Sequence, residues 1–319
     1  MDSIKKLLKN LYEGDKKALS RCISIVENDI EGYEKILTGL NLQRKIPVVG
    51  ITGPPGGGKS TLINALIKQL LTKNKNVGII TIDPSSPFNY GSLLGDRLRM
   101  TEHFNNENVF IRSLASRGSL GGLSAKTIEV VDVMKAFGMP RKEEQPYWGF
   151  DYIFVETVGV GQSEVEIAGL ADTTILVMVP ESGDDIQTIK AGIMEIADIF
   201  VVNKADRAGA DTFASNLNQL LHTRKSGLHD PASWTIPVIK AIATKGEGVE
   251  EIITSIGEHL EKTVNDKKQY LLAEKAYQLI QRHKMKNIDK LELQKEIAAN
   301  MNKKNFNLYS FVKRWWGIG

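Results

Sequence analysis

Residues 53–61 read GPPGGGKST: Gly53, Pro54, Pro55, Gly56, Gly57, Gly58, Lys59, Ser60 and Thr61, directly behind the apolar run IPVVGIT. Glycines at this density let the backbone curl, so that successive N–H groups point inward and cradle an anion. A helix beginning at Lys59 would aim its own N-terminal N–H groups at the same charge. Lys59 supplies a point positive charge for outer phosphates, and the Ser60 hydroxyl is a ligand of the kind Mg²⁺ takes. The spacing Gly53-x-x-x-x-Gly58-Lys59-Ser60, between a strand and a helix, is the full P-loop pattern. The stretch therefore predicts a nucleotide polyphosphate site.

A second motif predicts the base. VVNKAD ends an apolar run and contains Asn203, Lys204 and Asp206. A carboxylate at Asp206 accepts hydrogen bonds from the N1–H and exocyclic amine of guanine, donors that adenine lacks on that edge. An unmatched buried polar edge costs enough to discriminate strongly. Asn203 is expected to serve the base N7, and the Lys204 stem to cover a ring face. The expected ligands are thus GTP and GDP. Two acidic strand ends suit Mg²⁺ and the γ-phosphate. Asp83 closes the strand in GIITIDPSSP, and Glu156 opens ETVG where GTPases usually carry Asp-x-x-Gly. Glu156 would hold Mg²⁺ through water, and the Gly159 N–H would sense the γ-phosphate. No glutamine directly follows Gly159, and Gln162 comes three residues later. Slow hydrolysis without a partner is expected, which suits a switch.

These residues need a scaffold. Seven runs read as strands: IPVVGIT, NVGIITID, VFIRSL, YIFVETV, TTILVMV, IFVVNKA and IPVIKAI. They alternate with helical stretches, which predicts an α/β P-loop NTPase with a mostly parallel central sheet flanked by helices. Residues 1–45 form an N-terminal helical extension, with Leu7, Leu8, Leu11, Leu19, Ile23 and Ile25 at three- and four-residue steps. Residues 46–261 are expected to form the GTPase (G) domain. Residues 262–319 form a helical tail with Leu272, Ala276, Leu279 and His283 on one face.

The net charge of +3 hides an asymmetry: 9 basic and 7 acidic residues over 1–45, 19 and 26 over 46–261, 13 and 5 over 262–319. No aromatic-and-basic nucleic-acid motif appears, so the basic tail reads as a solvated face or a surface for an acidic partner. No nucleic-acid or membrane partner is expected: no apolar run reaches the roughly eighteen residues a span needs. The N-terminus is too charged for a secretory signal. The lone cysteine, Cys22, excludes an internal disulfide, fits a reducing cytoplasm and reads as core.

The segments GPPGGGKSTLINAL, IDPSSPFNYGSLLGDRLRM, FVETVGVGQSE, PESGDDIQTIKAGIMEIADIFVVNKAD and ATKGEGVEE resemble the MeaB/ArgK family. Its members are GTPases associated with methylmalonyl-CoA mutase and its adenosylcobalamin cofactor. The resemblance implies an Mg²⁺ set of Ser60, Asp83, Asp96 and Glu156, and a mobile charge at Arg99. It implies a third switch over 181–192 in which Gln187 and Lys190 respond and join Lys59 and Glu156 in catalysis. Ile242, Ala243 and Thr244 take the place of the usual Ser-Ala-Lys base loop, matching only at the alanine. It further implies a homodimer that uses the tail, and a chaperone that gates cofactor loading and protects the mutase. Two alternatives stand beside it. A metal-insertion GTPase would be expected to carry more than one cysteine and five scattered histidines. A kinase of a transport-system component would need a phosphoacceptor, which nothing in the sequence marks.

Overall fold

The computed structural model describes residues 3–83, 100, 102–115, 125–138, 149–157, 163–181, 196–225 and 234–262, then 273, 276–277, 279–281, 284–285, 288–301 and 306–313. The chain divides into two compact units, 1–265 and 266–319. The N-terminal helices belong to the first unit.

The sheet of the first unit holds seven strands, one in each run read as a strand: β1 (Val48–Thr52), β2 (Val77–Asp83), β3 (Val109–Ala115), β4 (Tyr152–Glu156), β5 (Thr173–Met178), β6 (Ile199–Asn203) and β7 (Val238–Ala241). All pairings are parallel, in the order β3-β2-β4-β1-β5-β6-β7. Parallel strands covered on both faces are apolar throughout rather than alternating, and β1, β5 and β6 are buried at every residue. β1 lies between β4 and β5, so successive connections leave it in opposite directions. The crevice beyond its C-terminal end is where sheets of this kind bind ligands.

The period of two along each strand assigns the faces. Val49, Ile51, Ile79 and Phe154 point to one side, where α4 (Lys59–Thr72) supplies Leu62, Leu66 and Ile67 and a helix at Val249–Lys262 supplies Ile252 and Ile256. Val48, Ile80, Ile153 and Val155 point to the other. That face is covered by α5 (Ala125–Lys135), by α6 (Ser163–Leu170) and by the N-terminal α1 (Ser3–Tyr12), α2 (Lys16–Glu27) and α3 (Tyr33–Thr38). Leu11, Leu19, Ile23 and Ile25 are buried as their spacing predicts, and so is Cys22, whose thiol is pushed up to about 12 by burial. Polar ties fix this layer. Arg112 of β3 bonds Glu27 of α2 at 2.5 Å. Lys126 of α5 bonds Asp29 at 2.6 Å and lies over the Tyr33 ring. Beyond β6 comes α7 (Ala210–Lys225), and the Val249–Lys262 helix is α8.

The second unit contains α9 (Lys290–Asn300), capped by Asp289 on the N–H groups of Leu291 and Glu292, and the short α10 (Leu308–Lys313). Ala276 and Leu279 are exposed, while Leu272 and His283 lie outside the described residues. No described helix is long and apolar enough to cross a membrane.

Candidate functional site

The glycine loop leaves the end of β1 and turns into α4. Its geometry requires the glycines. Gly53 adopts φ 137°, and a Cβ there would lie 2.1 Å from the Val177 carbonyl oxygen of β5. Gly58 adopts φ 85°, and a Cβ there would lie 2.4 Å from the side-chain amide of Asn203. Lys59 is 7% exposed, and its ammonium donates to the carbonyls of Gly53 at 2.8 Å and Pro54 at 3.1 Å. A positive charge is thereby fixed within the curl of the loop. Thr61 and Pro55 are exposed, and Gly57 is buried.

Ser60 opens α4 and faces the end of β4. Its hydroxyl donates to the Glu156 carboxylate at 2.7 Å, and both side chains are buried. The register that sets β4 beside β1 pairs Ile51 with Glu156. One residue on, the Thr157 N–H donates to the Ile51 carbonyl and its hydroxyl to Thr52 at 2.8 Å. This buried pair of threonines joins the end of β1, which leads into the glycine loop, to the end of β4, which carries Glu156. The sequence reading did not single it out, because no spacing relates residues 105 apart. Asp83 ends β2, where its backbone pairs with Ala115 of β3. Its side chain lies outside the description. Asp96, Arg99, Gly159, Gln162, Gln187 and Lys190 also lie outside the described residues.

The predicted base side assembles beside the loop. Asn203 ends β6 and is 2% exposed. Its amide nitrogen donates to the Gly57 carbonyl at 3.0 Å, and its amide oxygen accepts from the Ala243 N–H at 3.2 Å. Asn203 thereby ties the glycine loop to the loop after β7. Lys204 has φ 56°, and its ammonium donates to the Gly56 carbonyl at 2.8 Å. Its stem thus crosses from the β6 end to the glycine loop. Asp206 is exposed, and among the described residues its carboxylate makes no hydrogen bond or ion pair. Ile242, Ala243 and Thr244 follow β7. The Ile242 N–H donates to the Glu247 carbonyl, which folds 242–247 into a turn with Ala243 buried and Thr244 exposed. One further contact was not foreseen: Arg207 bonds Glu181, just beyond β5.

A parallel sheet with a glycine-lysine-serine loop behind its central strand, an acidic neighbouring strand end and an Asn-Lys-x-Asp turn two strands away is that of a P-loop GTPase. Comparison with known proteins narrows the class. The model of the family described as methylmalonyl-CoA mutase-associated GTPase MeaB matches residues 19–302, and the chain belongs to that family. A Pyrococcus horikoshii protein named only as a GTPase is 48% identical over 260 residues, 81% of this chain and 78% of that one. The mouse methylmalonic aciduria type A homolog, named as mitochondrial, is 33% identical over 272 residues, 78% of this chain and 61% of its own length. A crystal structure described as a LAO/AO transport system kinase superposes with a TM-score of 0.66, covering 98% of this chain and 96% of that one. At 23% identity it speaks for the fold alone.

Proposed function

We propose that this GTPase is the nucleotide-gated chaperone of an adenosylcobalamin-dependent methylmalonyl-CoA mutase, gating cofactor loading and protecting the mutase from inactivation. The observation that carries the reading is the family match over 19–302, whose description names the mutase association. The name of the mouse relative, which concerns methylmalonic aciduria, supports it. A cytoplasmic setting is proposed on the single, buried cysteine.

In this reading the backbone N–H groups of 53–61 and the Lys59 ammonium hold the β- and γ-phosphates. Phosphate oxygens are acceptors of the same kind as the two carbonyls on which Lys59 now rests. Asp206 takes the guanine edge, and Ala243, with Ile242 and Thr244 beside it, presents backbone to the base. Ser60 and Glu156 are hard oxygen donors 2.7 Å apart, a pair that fits Mg²⁺, with Asp83 and Asp96 proposed to complete its acidic surroundings. When bound, Mg²⁺ would neutralise charge developing on the transferring phosphoryl group. Gly159 would report on the γ-phosphate. Gln187 and Lys190 would become effective when the mutase binds, aiming a cation at the leaving phosphate. The tail is proposed to make a homodimer.

The test is a paired assay of GTP hydrolysis and of adenosylcobalamin transfer, with and without mutase, on the wild type and Lys190→Ala. Stimulation in the wild type and a ratio near one in the variant are expected. A wild type that the mutase neither binds nor stimulates would remove the partner from this reading and leave the GTPase.

A further inference from the structure

Asp206 has cationic neighbours. Lys204 lies two residues before it and Arg207 directly after it, in the turn that leaves β6. Consecutive Cα atoms are about 3.8 Å apart, so the stem of Arg207 is long enough to fold back onto the carboxylate of Asp206. A guanidinium presents parallel N–H donors to a carboxylate. The N1–H and exocyclic amine of guanine present the same pattern. Arg207 is therefore a built-in competitor for the group that reads the base.

Both cations are held elsewhere. The Lys204 ammonium is bound to the Gly56 carbonyl at 2.8 Å. The Arg207 guanidinium is bound to Glu181, the residue after Pro180 at the close of the β5 segment. The Glu181 carboxyl is held below the usual carboxylate range, first by the bond from Arg207, then by its own backbone N–H, and further by the charges of Arg207 and Lys204. It is thus ionised, and ready to hold Arg207, through the whole neutral range. Asp206, between the two occupied cations, is left exposed with no partner among the described residues.

We propose that Glu181 is a specificity-determining positioning residue, which withholds the Arg207 guanidinium from Asp206 and so leaves that carboxylate to guanine. The proposal rests on Asp206 as the acceptor of the guanine edge. It does not require Glu181 to touch the nucleotide. Its signature is an asymmetry that an ordinary surface ion pair lacks. Loss of Glu181 releases a competitor, whereas loss of Arg207 removes it.

The experiment is titration of GDP and ADP, at low salt and again at high salt, into wild type, Glu181→Gln, Arg207→Ala and the double variant. Exposed ion pairs are worth at most a factor of about five. Glu181→Gln should therefore bind GDP about threefold more weakly, with ADP binding unchanged and the loss shrinking as salt screens the new pair. Arg207→Ala should match the wild type, and the double variant should recover it. Arg207→Ala as weak as Glu181→Gln, with no recovery in the double variant, would make the pair a plain structural strap and overturn the proposal. So would a Glu181→Gln protein that binds GDP like the wild type. A wild type that binds ADP as tightly as GDP would instead defeat the reading of Asp206, and the proposal with it.

Discussion

At the scale of single residues, the chemistry is carried by side chains whose neighbours have been arranged in advance. Asp206 is expected to discriminate by hydrogen-bond matching. Asp206→Asn should weaken GDP by about tenfold to a hundredfold, on the basis that an unmatched edge costs on the order of 1–3 kcal/mol. It should also narrow the gap to ADP, as read by calorimetry. Equal GDP and ADP affinity in the wild type would sink this. Glu156 and Lys59 should separate in kinetics. Glu156→Ala is expected to lower Mg²⁺-dependent turnover by at least about tenfold while GTP affinity falls less, because in the proposed site the carboxylate would meet the nucleotide only through the metal. Lys59→Ala should lose affinity and turnover together, since the phosphates lose a fixed charge. A Glu156→Ala protein turning over at the wild-type rate would remove Glu156 from the metal site. The site residues were legible because Gly53 to Thr61 and Asn203 to Asp206 are contiguous strings with a mechanism in their spacing. The Thr52–Thr157 and Glu181–Arg207 contacts were not, because nothing local in the chain records what meets between the ends of neighbouring strands.

At the scale of elements, three loops at the C-terminal ends of β1, β6 and β7 are joined through one buried amide. Asn203 donates to the Gly57 carbonyl and accepts from the Ala243 N–H. Asn203→Ala leaves both backbone groups unpaired in a buried setting, at about 1–3 kcal/mol each in general experience. A melting temperature lower by several degrees is expected, with GDP affinity reduced by at least about tenfold as the phosphate and base loops lose their register. Normal GDP affinity with a normal melting temperature would show that the loops hold without it. Strand positions were legible at this scale, since short β-branched runs bounded by Gly, Pro, Asn and Asp mark strands without reference to neighbours. The order β3-β2-β4-β1-β5-β6-β7 was not, because periodicity fixes which face a residue takes and says nothing of which strand lies alongside. The same holds for the backbone bonds of Asn203, which join loops that no spacing in the sequence relates.

At the scale of the whole molecule, the N-terminal helices and the C-terminal unit have opposite characters. The helices of residues 3–38 bury Leu11, Leu19, Ile23, Val26 and Ile36 in the same cluster as strand residues Val48, Ile80 and Ile153. The amphipathic spacing of 1–45 foretold a buried stripe, but not that its counterpart would be one face of the sheet. In the C-terminal unit Tyr277, Ile280, Leu291 and Tyr309 are 65%, 57%, 68% and 82% exposed, although Phe311 is buried and lies tilted against the Phe306 ring. Large apolar side chains exposed in this number over a short segment are a mark of an interaction surface. The segment 262–319 also carries a net charge of +8, against −7 over 46–261. A second copy of the chain therefore offers both apolar partners for these residues and an acidic surface for the basic ones. A homodimer is expected in solution by light scattering. Leu291→Glu with Tyr309→Glu should shift it toward monomer by placing carboxylates in the apolar contact, where burial of an unpaired charge is costly. Both side chains are solvated in the single chain, so the melting of the first unit should stay within a degree or two. Raised salt should weaken the wild-type dimer in proportion to the share of the contact carried by charge. A wild type that is monomeric at high concentration would remove self-association. A dimer indifferent to both substitutions would move its interface away from α9 and α10.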